Sequence, residues 1–154
     1  CGVLDNYKKI GGVMPEENMP IITFKKYENE LLKHGFNVVG TFGSTEGLNS
    51  LEGLNIAVVG TYRTREIQYL LFAKLLDDTI EVRDLKTSNS IVEYNGYRFK
   101  LYTFEHPIVR QVQLYMINSE LEQCIGRARL LRNNNQVHLV AKLPLEDATI
   151  KNLM

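Results

Sequence analysis

MPIITFKKYENELLKHGFNVVGTFGSTEGLNSLEGLNIAVV, residues 19–59, decides the fold of this chain. Three short apolar runs stand in it: Met19 to Phe24 (MPIITF), Phe36 to Phe42 (FNVVGTF) and Leu54 to Val59 (LNIAVV). They have the continuous apolar character of strands covered on both faces. Between the first two, Tyr27, Leu31 and Leu32 share a helical face and Gly35 supplies a stop. Between the second and third lies the glycine-rich GSTEGLNSLEG. Buried strands joined by helices predict an α/β fold with a mainly parallel sheet and helices on both faces.

Working outward, Arg65 to Leu76 carries Ile67, Leu70, Leu71 and Leu75 at helical spacing, and Asp77 with Asp78 marks its end. Ile91 to Tyr94 and Tyr97 to Thr103 flank Asn95-Gly96. That pair predicts an antiparallel hairpin, because a type I′ turn needs positive φ at both central residues. His106-Pro107 opens a helix to about Asn118. Ser119 with Glu122 reads as a capping box that starts another helix to about Leu131, ended by Asn133-Asn134-Asn135. Gln136 to Ala141 (QVHLVA) is a last strand. Residues 1–18, with Gly11, Gly12 and Pro15, form a weakly patterned lead-in; residues 19–154 are expected to form one domain, with an insertion at about 64–104. No internal repeat stands out.

The 154 residues are 44% hydrophobic and 23% charged, an ordinary globular composition. No run reaches the ~18 apolar residues of a membrane span. The formal net charge is +0, so bulk electrostatics gives no tight hold on a polyanion and any nucleic-acid contact must be local. Cys1 and Cys124 make neither a disulfide framework nor a zinc site, and no apolar leader is seen, so a cytoplasmic location is expected. A first residue of cysteine rather than methionine suggests a piece of a longer polypeptide. His34, His106 and His138 lack metal-ligand spacing, and no metal site is expected.

Unrolled at about 100° per residue, the helix from Ser119 separates into two faces. Leu121, Cys124, Ile125, Ala128 and Leu131 form a buried stripe, with Cys124 a small core residue. Gln123, Gly126 and Arg127 lie opposite, presenting an amide, a gap in the side-chain wall and a guanidinium. Glycine inside a helix costs ~1 kcal/mol relative to alanine, so the close approach of a ligand or backbone is a motive for it. A planar guanidinium suits phosphate.

Gln123-Cys-Ile-Gly-Arg127-Ala-Arg129, ahead of the strand VHLVA, resembles motif VI (QxxGRxxR) of superfamily 2 helicases. Thr41, followed by FGSTE and then Gly47-Leu48-Asn49, resembles motif V, and MPIITF with KKYENELL is similar to motif IV. The three run in the family order over about residues 19 to 145. Two positions depart: Leu130 stands at the family's second arginine, between Arg129 and Arg132, and Asn49 stands at the motif V aspartate. On a continuous helix Arg129 would lie about 160° from Arg127.

The resemblance implies a second RecA-like domain, the helicase C-terminal domain, acting in DNA replication or repair. It implies ATP and Mg²⁺ as cofactors. No GxxxxGK[ST] or DExx sequence is present, so they would be held mainly by an N-terminal RecA-like domain of the same polypeptide, and the isolated chain should be inactive. Arg127, Gln123 and Arg129 would be catalytic, Arg127 as an arginine finger; Gly47, Asn49 and Gly126 would face ATP. Thr23, Lys25, Thr41, Gly43 and Ser44 would grip one strand of single-stranded or duplex nucleic acid. Alternatives are a non-catalytic docking module for protein or nucleic acid, and an unrelated α/β domain binding a nucleotide or small molecule through GSTEGLN. Arg63, Arg65, Lys25 and Lys26 also read as solvated surface cations, and Tyr94, Tyr97, Phe99 and Tyr102 as hairpin packing rather than a stacking platform.

Overall fold

A computed structural model describes residues 18–45 and 48–149. The elements in chain order are β1 (Ile21–Thr23), α1 (Lys25–Lys33), β2 (Val38–Thr41), a short 3-10 turn (Asn49–Leu51), β3 (Ile56–Val59), α2 (Glu66–Leu76), a second 3-10 turn (Val82–Leu85), β4 (Thr87–Tyr94), β5 (Tyr97–Phe104), α3 (Pro107–Gly126) and β6 (Val137–Val140). β1, β2, β3 and β6 form a four-stranded sheet in the order β2-β1-β3-β6, every pair parallel; β4 and β5 form a separate antiparallel pair. The fold is mixed α/β. No helix among the described residues is long and apolar enough to cross a membrane.

The chain divides into two compact units. One holds the described residues up to Gly60 with Glu120–Ala141 and Thr149; the other holds Thr61–Ser119 and Lys142–Ala148. The segment 64–104, read from sequence as an insertion, falls wholly inside the second.

In the first unit β1 and β3 follow the sequence pattern, whereas β2, read as a strand covered on both faces, stands at the sheet edge with Val38–Gly40 only half-buried. Every residue of β1 and β3 is buried, as central parallel strands require. β3 runs in register with β6 from Ile56↔Val137 to Val59↔Val140. α1 ends in a Schellman motif: Phe36 N–H donates to Leu31 O and Gly35 N–H to Leu32 O, both at 3.1 Å, with Gly35 at φ +82°. Leu31 is buried, and Tyr27, four residues earlier, packs on the same cluster of Met19, Ile21, Ala57 and Val59. Leu32 does not share that face. It lies 100° further round and is 49% exposed.

In the second unit Tyr69, Leu70 and Ala73 of α2 pack with Ile80, Phe104, Val109 and Val112. The Tyr69 and Phe104 rings meet edge to face, 5.1 Å between centroids. Tyr69 Oη accepts the Thr64 N–H at 3.0 Å, and burial pushes its phenol above the ordinary value. The stripe expected from spacing is therefore corrected: of Ile67, Leu70, Leu71 and Leu75, only Leu70 is buried. Two aromatic rings set the buried side of a helix that is apolar nearly all round. Past its end, Asp77 accepts the Thr79 N–H and hydroxyl at 3.0 and 2.6 Å, which hold its carboxyl below the usual range.

The hairpin follows expectation. Asn95 and Gly96 take φ of 49° and 76°, and Tyr94 pairs with Tyr97. β4 starts earlier than read from sequence, at Thr87 opposite Phe104. Of the hairpin aromatics, Tyr97 and Tyr102 are 42% and 45% exposed, so the packing reading does not extend to them. Tyr102 Oη accepts the Thr87 hydroxyl at 2.7 Å, and Arg63 lies over its ring at 4.9 Å.

The larger correction concerns α3. One helix of 20 residues replaces the two expected, running through Ser119 without a break. Leu114, Ile117, Leu121 and Cys124 form one buried stripe across that position, and no glycine or proline interrupts it. A Ser-x-x-Glu spacing marks a helix start only where the backbone leaves helical angles.

Candidate functional site

The C-terminal end of α3 falls short of the expected Leu131. The backbone closes at Gly126 through three-residue hydrogen bonds: Arg127 N–H to Cys124 O, Ala128 N–H to Ile125 O and Arg129 N–H to Gly126 O, at 3.2, 3.0 and 3.1 Å. Arg129 then turns left-handed, with φ 50°. The Ala128 carbonyl accepts Gly53 N–H at 3.2 Å and Asn135 Nδ2 at 3.0 Å instead of continuing the helix. Leu131, expected in the buried stripe, is fully exposed, and Ile125 is half-buried.

This turn is tied to the residues entering β3. Arg129 pairs with Glu52 at 3.0 Å; Asn135 Nδ2 donates to Leu54 O at 2.8 Å; Gln136 N–H donates to Asn55 Oδ1 at 2.8 Å. The tetrapeptide Glu-Gly-Leu-Asn occurs twice, at 46–49 and 52–55, and the contact is with the second copy. The resemblance took the first copy as the segment that faces ATP. The repeat, six residues on and directly before a buried strand, was the signal for the second. Of the first copy, Gly47 lies outside the described residues, while Asn49 is exposed at the start of the 3-10 turn.

Arg127 and Arg129 consequently differ. Arg129 is spent on Glu52. Arg127 is half-buried, makes no ion pair among the described residues, and has its Nε enclosed with no hydrogen-bond partner. A buried guanidinium N–H without an acceptor costs on the order of 1–3 kcal/mol, and because the atom is closed to solvent an oxyanion would recover that only once the groups around it move aside. Gly126 is exposed, and a Cβ built there meets nothing within 4 Å, so no packing within the described chain demands glycine. Gln123 is exposed one turn earlier. Cys124 is buried as expected; desolvation, with the Glu120 carboxylate adding, pushes its thiol to about 12, Arg127 pulling the other way.

The residues expected to hold nucleic acid lie elsewhere on the sheet. Because β1, β2, β3 and β6 are parallel, Thr23 and Thr41 end their strands at the carboxyl edge, whereas the Arg127 turn and residues 52–55 precede β6 and β3 at the amino edge. The structure thus brings Gly126, Arg127 and Arg129 together, with Gln123 a turn away, and sets Thr23, Lys25, Thr41 and Ser44 at the other edge, while Gly43 touches α3 through Glu120, one turn before Gln123.

At the carboxyl edge several groups are already engaged. Thr23 is fully buried and donates its hydroxyl to Val59 O at 2.9 Å, so it is a core group unable to touch a ligand. Thr41 is 7% exposed. Gly43 N–H donates to Glu120 Oε1 at 2.6 Å, a carboxylate standing where a phosphate oxygen would have to bind. Lys26 lies over the Phe24 and Tyr27 rings at 5.6 and 4.6 Å. Lys25 pairs with Glu28 at 2.5 Å yet keeps its side chain 80% exposed, and Ser44 is exposed. An exposed pair of this kind is worth ~0–1 kcal/mol, so an anion can compete for Lys25. No group of three or more His, Cys, Asp or Glu among the described residues could hold a metal ion.

No protein-family model matches the chain, and neither a curated protein nor a solved structure is significantly similar to it.

Proposed function

We propose that this chain is the second, RecA-like half of a nucleic-acid-dependent ATPase of the helicase type, supplying Arg127 to an ATP site whose other half belongs to an N-terminal domain of the same polypeptide. The observation that carries the reading is the contrast at the end of α3. Arg129 and Glu52 fix the turn, while Arg127 keeps an enclosed donor with no acceptor. A phosphate oxygen matches that donor in charge and in hydrogen-bonding sense, and would reach it once closure against the N-terminal domain moves the turn aside.

ATP with Mg²⁺ would supply the phosphoryl group that is transferred, and the residues of this chain would orient and stabilise it. Arg127 would donate to the phosphate as negative charge redistributes, the role of an arginine finger. Arg129 acts as a positioning residue, holding the turn against residues 52–55. Gly126 leaves room for approach from outside, and the Gln123 amide lies one turn away on an exposed stretch of the helix. Lys25 and Ser44, at the opposite sheet edge, are the candidates left to meet a nucleic-acid backbone, which such contacts position without reading sequence. Location in the cytoplasm and a part in DNA replication or repair belong to the same proposal.

A docking module without catalysis remains the second reading. It draws on the Gly43–Glu120 hydrogen bond, which occupies a backbone donor that a phosphate would need.

The test is nucleic-acid-stimulated ATP turnover of the intact polypeptide. Arg127→Ala is expected to reduce it by ~10³-fold or more with folding preserved, and Arg127→Lys to restore little, since an ammonium lacks the planar fork. Unchanged turnover in Arg127→Ala would overturn the proposal.

A further inference from the structure

The two faces of the β4–β5 hairpin differ in what they carry. Along β5, Phe99 is half-buried and Leu101 and Thr103 are buried, whereas Arg98, Lys100 and Tyr102, alternating with them, are exposed. Across the ladder on the same outer face stand Glu93, Ile91 and Asn89, exposed as well. Arg63, also exposed, reaches in from the segment before α2 to lie over the Tyr102 ring. The face thus gathers Arg63, Arg98 and Lys100 against the single carboxylate of Glu93, in a chain whose formal net charge is +0.

None of these cations has an ion pair or a hydrogen bond among the described residues, not even Arg98 with Glu93 directly across from it. Arg83, Lys86 and Arg129, by contrast, each pair with a carboxylate. Side chains two apart on a strand stand about 6.8 Å from each other, so Arg98 and Lys100 are too widely set to close on one small anion and are in line for the successive charges of a chain. The ring is the second observation. The Thr87 hydroxyl fixes Tyr102 Oη, and the ring in turn holds the Arg63 guanidinium with its N–H groups unspent. Tyrosine rings and guanidinium planes are what unpaired bases stack on. A duplex keeps its bases inside the helix, and an acidic run of peptide offers no flat group to the pair. Among polyanions a single strand matches both halves of the face.

We infer that the outer face of the β4–β5 hairpin binds single-stranded nucleic acid, with Arg98 and Lys100 meeting its phosphates and the Arg63–Tyr102 pair meeting a base. The inference goes beyond the ATPase proposal, which places nucleic acid at Lys25 and Ser44, and it needs neither ATP nor Arg127.

Fluorescence anisotropy of a labelled oligothymidylate of about 12 nucleotides, titrated with the 154-residue chain in the absence of ATP, tests it. Binding is expected at low salt, with the logarithm of affinity falling against the logarithm of salt at a slope of about 2, or ~0.7 for each of the cations in contact. Arg98→Gln combined with Lys100→Gln should weaken binding about tenfold and reduce that slope to about 0.7, with circular dichroism unchanged because both side chains are exposed. Tyr102→Ala should weaken it about tenfold, and Tyr102→Phe, which keeps the ring, by less than about threefold. The inference is overturned if the chain does not bind the strand, or if the double variant keeps both affinity and slope. It is equally overturned if oligoglutamate displaces the strand as well as unlabelled oligothymidylate does, which gives the face to an acidic peptide. Because no ATP is present, these outcomes bear on the hairpin alone and leave the turnover test of Arg127 to be read separately.

Discussion

The end of α3 and the outer face of α2 both leave side chains unsatisfied, in opposite currencies. At the first, one enclosed guanidinium donor lacks an acceptor; at the second, five large apolar side chains, Ile67, Leu71, Phe72, Leu75 and Leu76, face water. The first calls for a small, charged, directional partner and the second for a broad apolar one. A polar vacancy is completed by a single atom in the right place, whereas an apolar face needs area. Hence a single residue suffices to name a ligand class at the first, whereas apolar area at the second names none.

The largest effect that could break this comparison is catalytic. Arg127→Ala and Arg129→Ala should behave differently: the first lowers ATP turnover of the intact polypeptide by ~10³-fold with the melting temperature held or raised, since it removes an enclosed donor that has no acceptor. The second loses the half-exposed pair with Glu52, worth up to ~1 kcal/mol, and shows a small melting shift with a lesser loss of turnover. Equal effects on turnover would erase the distinction between finger and positioning residue.

Next in size is the contrast within α1. Leu31→Ala should cost ~2–5 kcal/mol in urea unfolding, while Leu32→Ala, on the exposed side, should cost under ~0.5 kcal/mol. A large cost at Leu32 would mean that this face too is covered.

Thr23→Val should destabilise by ~1–3 kcal/mol, because Val59 O loses its buried donor, while nucleic-acid affinity measured by fluorescence anisotropy stays constant. A loss of affinity in a variant of normal stability would restore Thr23 as a ligand contact.

Cys124 should resist alkylation at pH 8 until the chain unfolds, given a thiol at about 12. Its native value lies above the ordinary 9.0, so the stabilisation it contributes is complete below about pH 9 and is lost as the pH rises from there towards 12. Denaturant midpoints of the parent and Cys124→Ala should therefore converge at high pH.

Smallest is Gly126→Ala. With open space for the Cβ, stability should hold or rise by up to ~1 kcal/mol, while turnover falls because the methyl obstructs approach to Arg127. Undiminished turnover would remove Gly126 from the site.

Much of the framework was legible in the sequence because it depends on short-range rules. β3 is an unbroken apolar run and β1, β2 and β6 are short β-branched segments broken by single residues such as Gly40 and His138, Gly35 closes α1, and Asn95-Gly96 fixes the hairpin register. The misreadings share a cause: a local pattern compatible with two structures. Ser119 and Glu122 fit a helix start and a helix interior equally well, and only the stripe from Leu114 to Cys124 decides between them. In α2 apolar residues surround the axis, so periodicity cannot point to the core; Tyr69 and Phe104 do that by packing. At the candidate site Arg127 stood out from its motif. Its difference from Arg129 depends on Glu52, a residue far away in the chain, and on a helix that ends at Gly126.

The pairing of β3 with β6 has a consequence for how the protein is made. β6 is supplied by residues 137–140, so on the ribosome one edge of the fully buried strand Ile56–Val59 stays open while the intervening chain emerges. Long-range parallel pairing is slow, and an apolar strand with a free edge is a template for aggregation. The hairpin and its neighbouring helix close locally in the meantime. A nascent chain halted before Gln136 emerges should therefore be the species that chaperones retain, and its release should coincide with the emergence of β6.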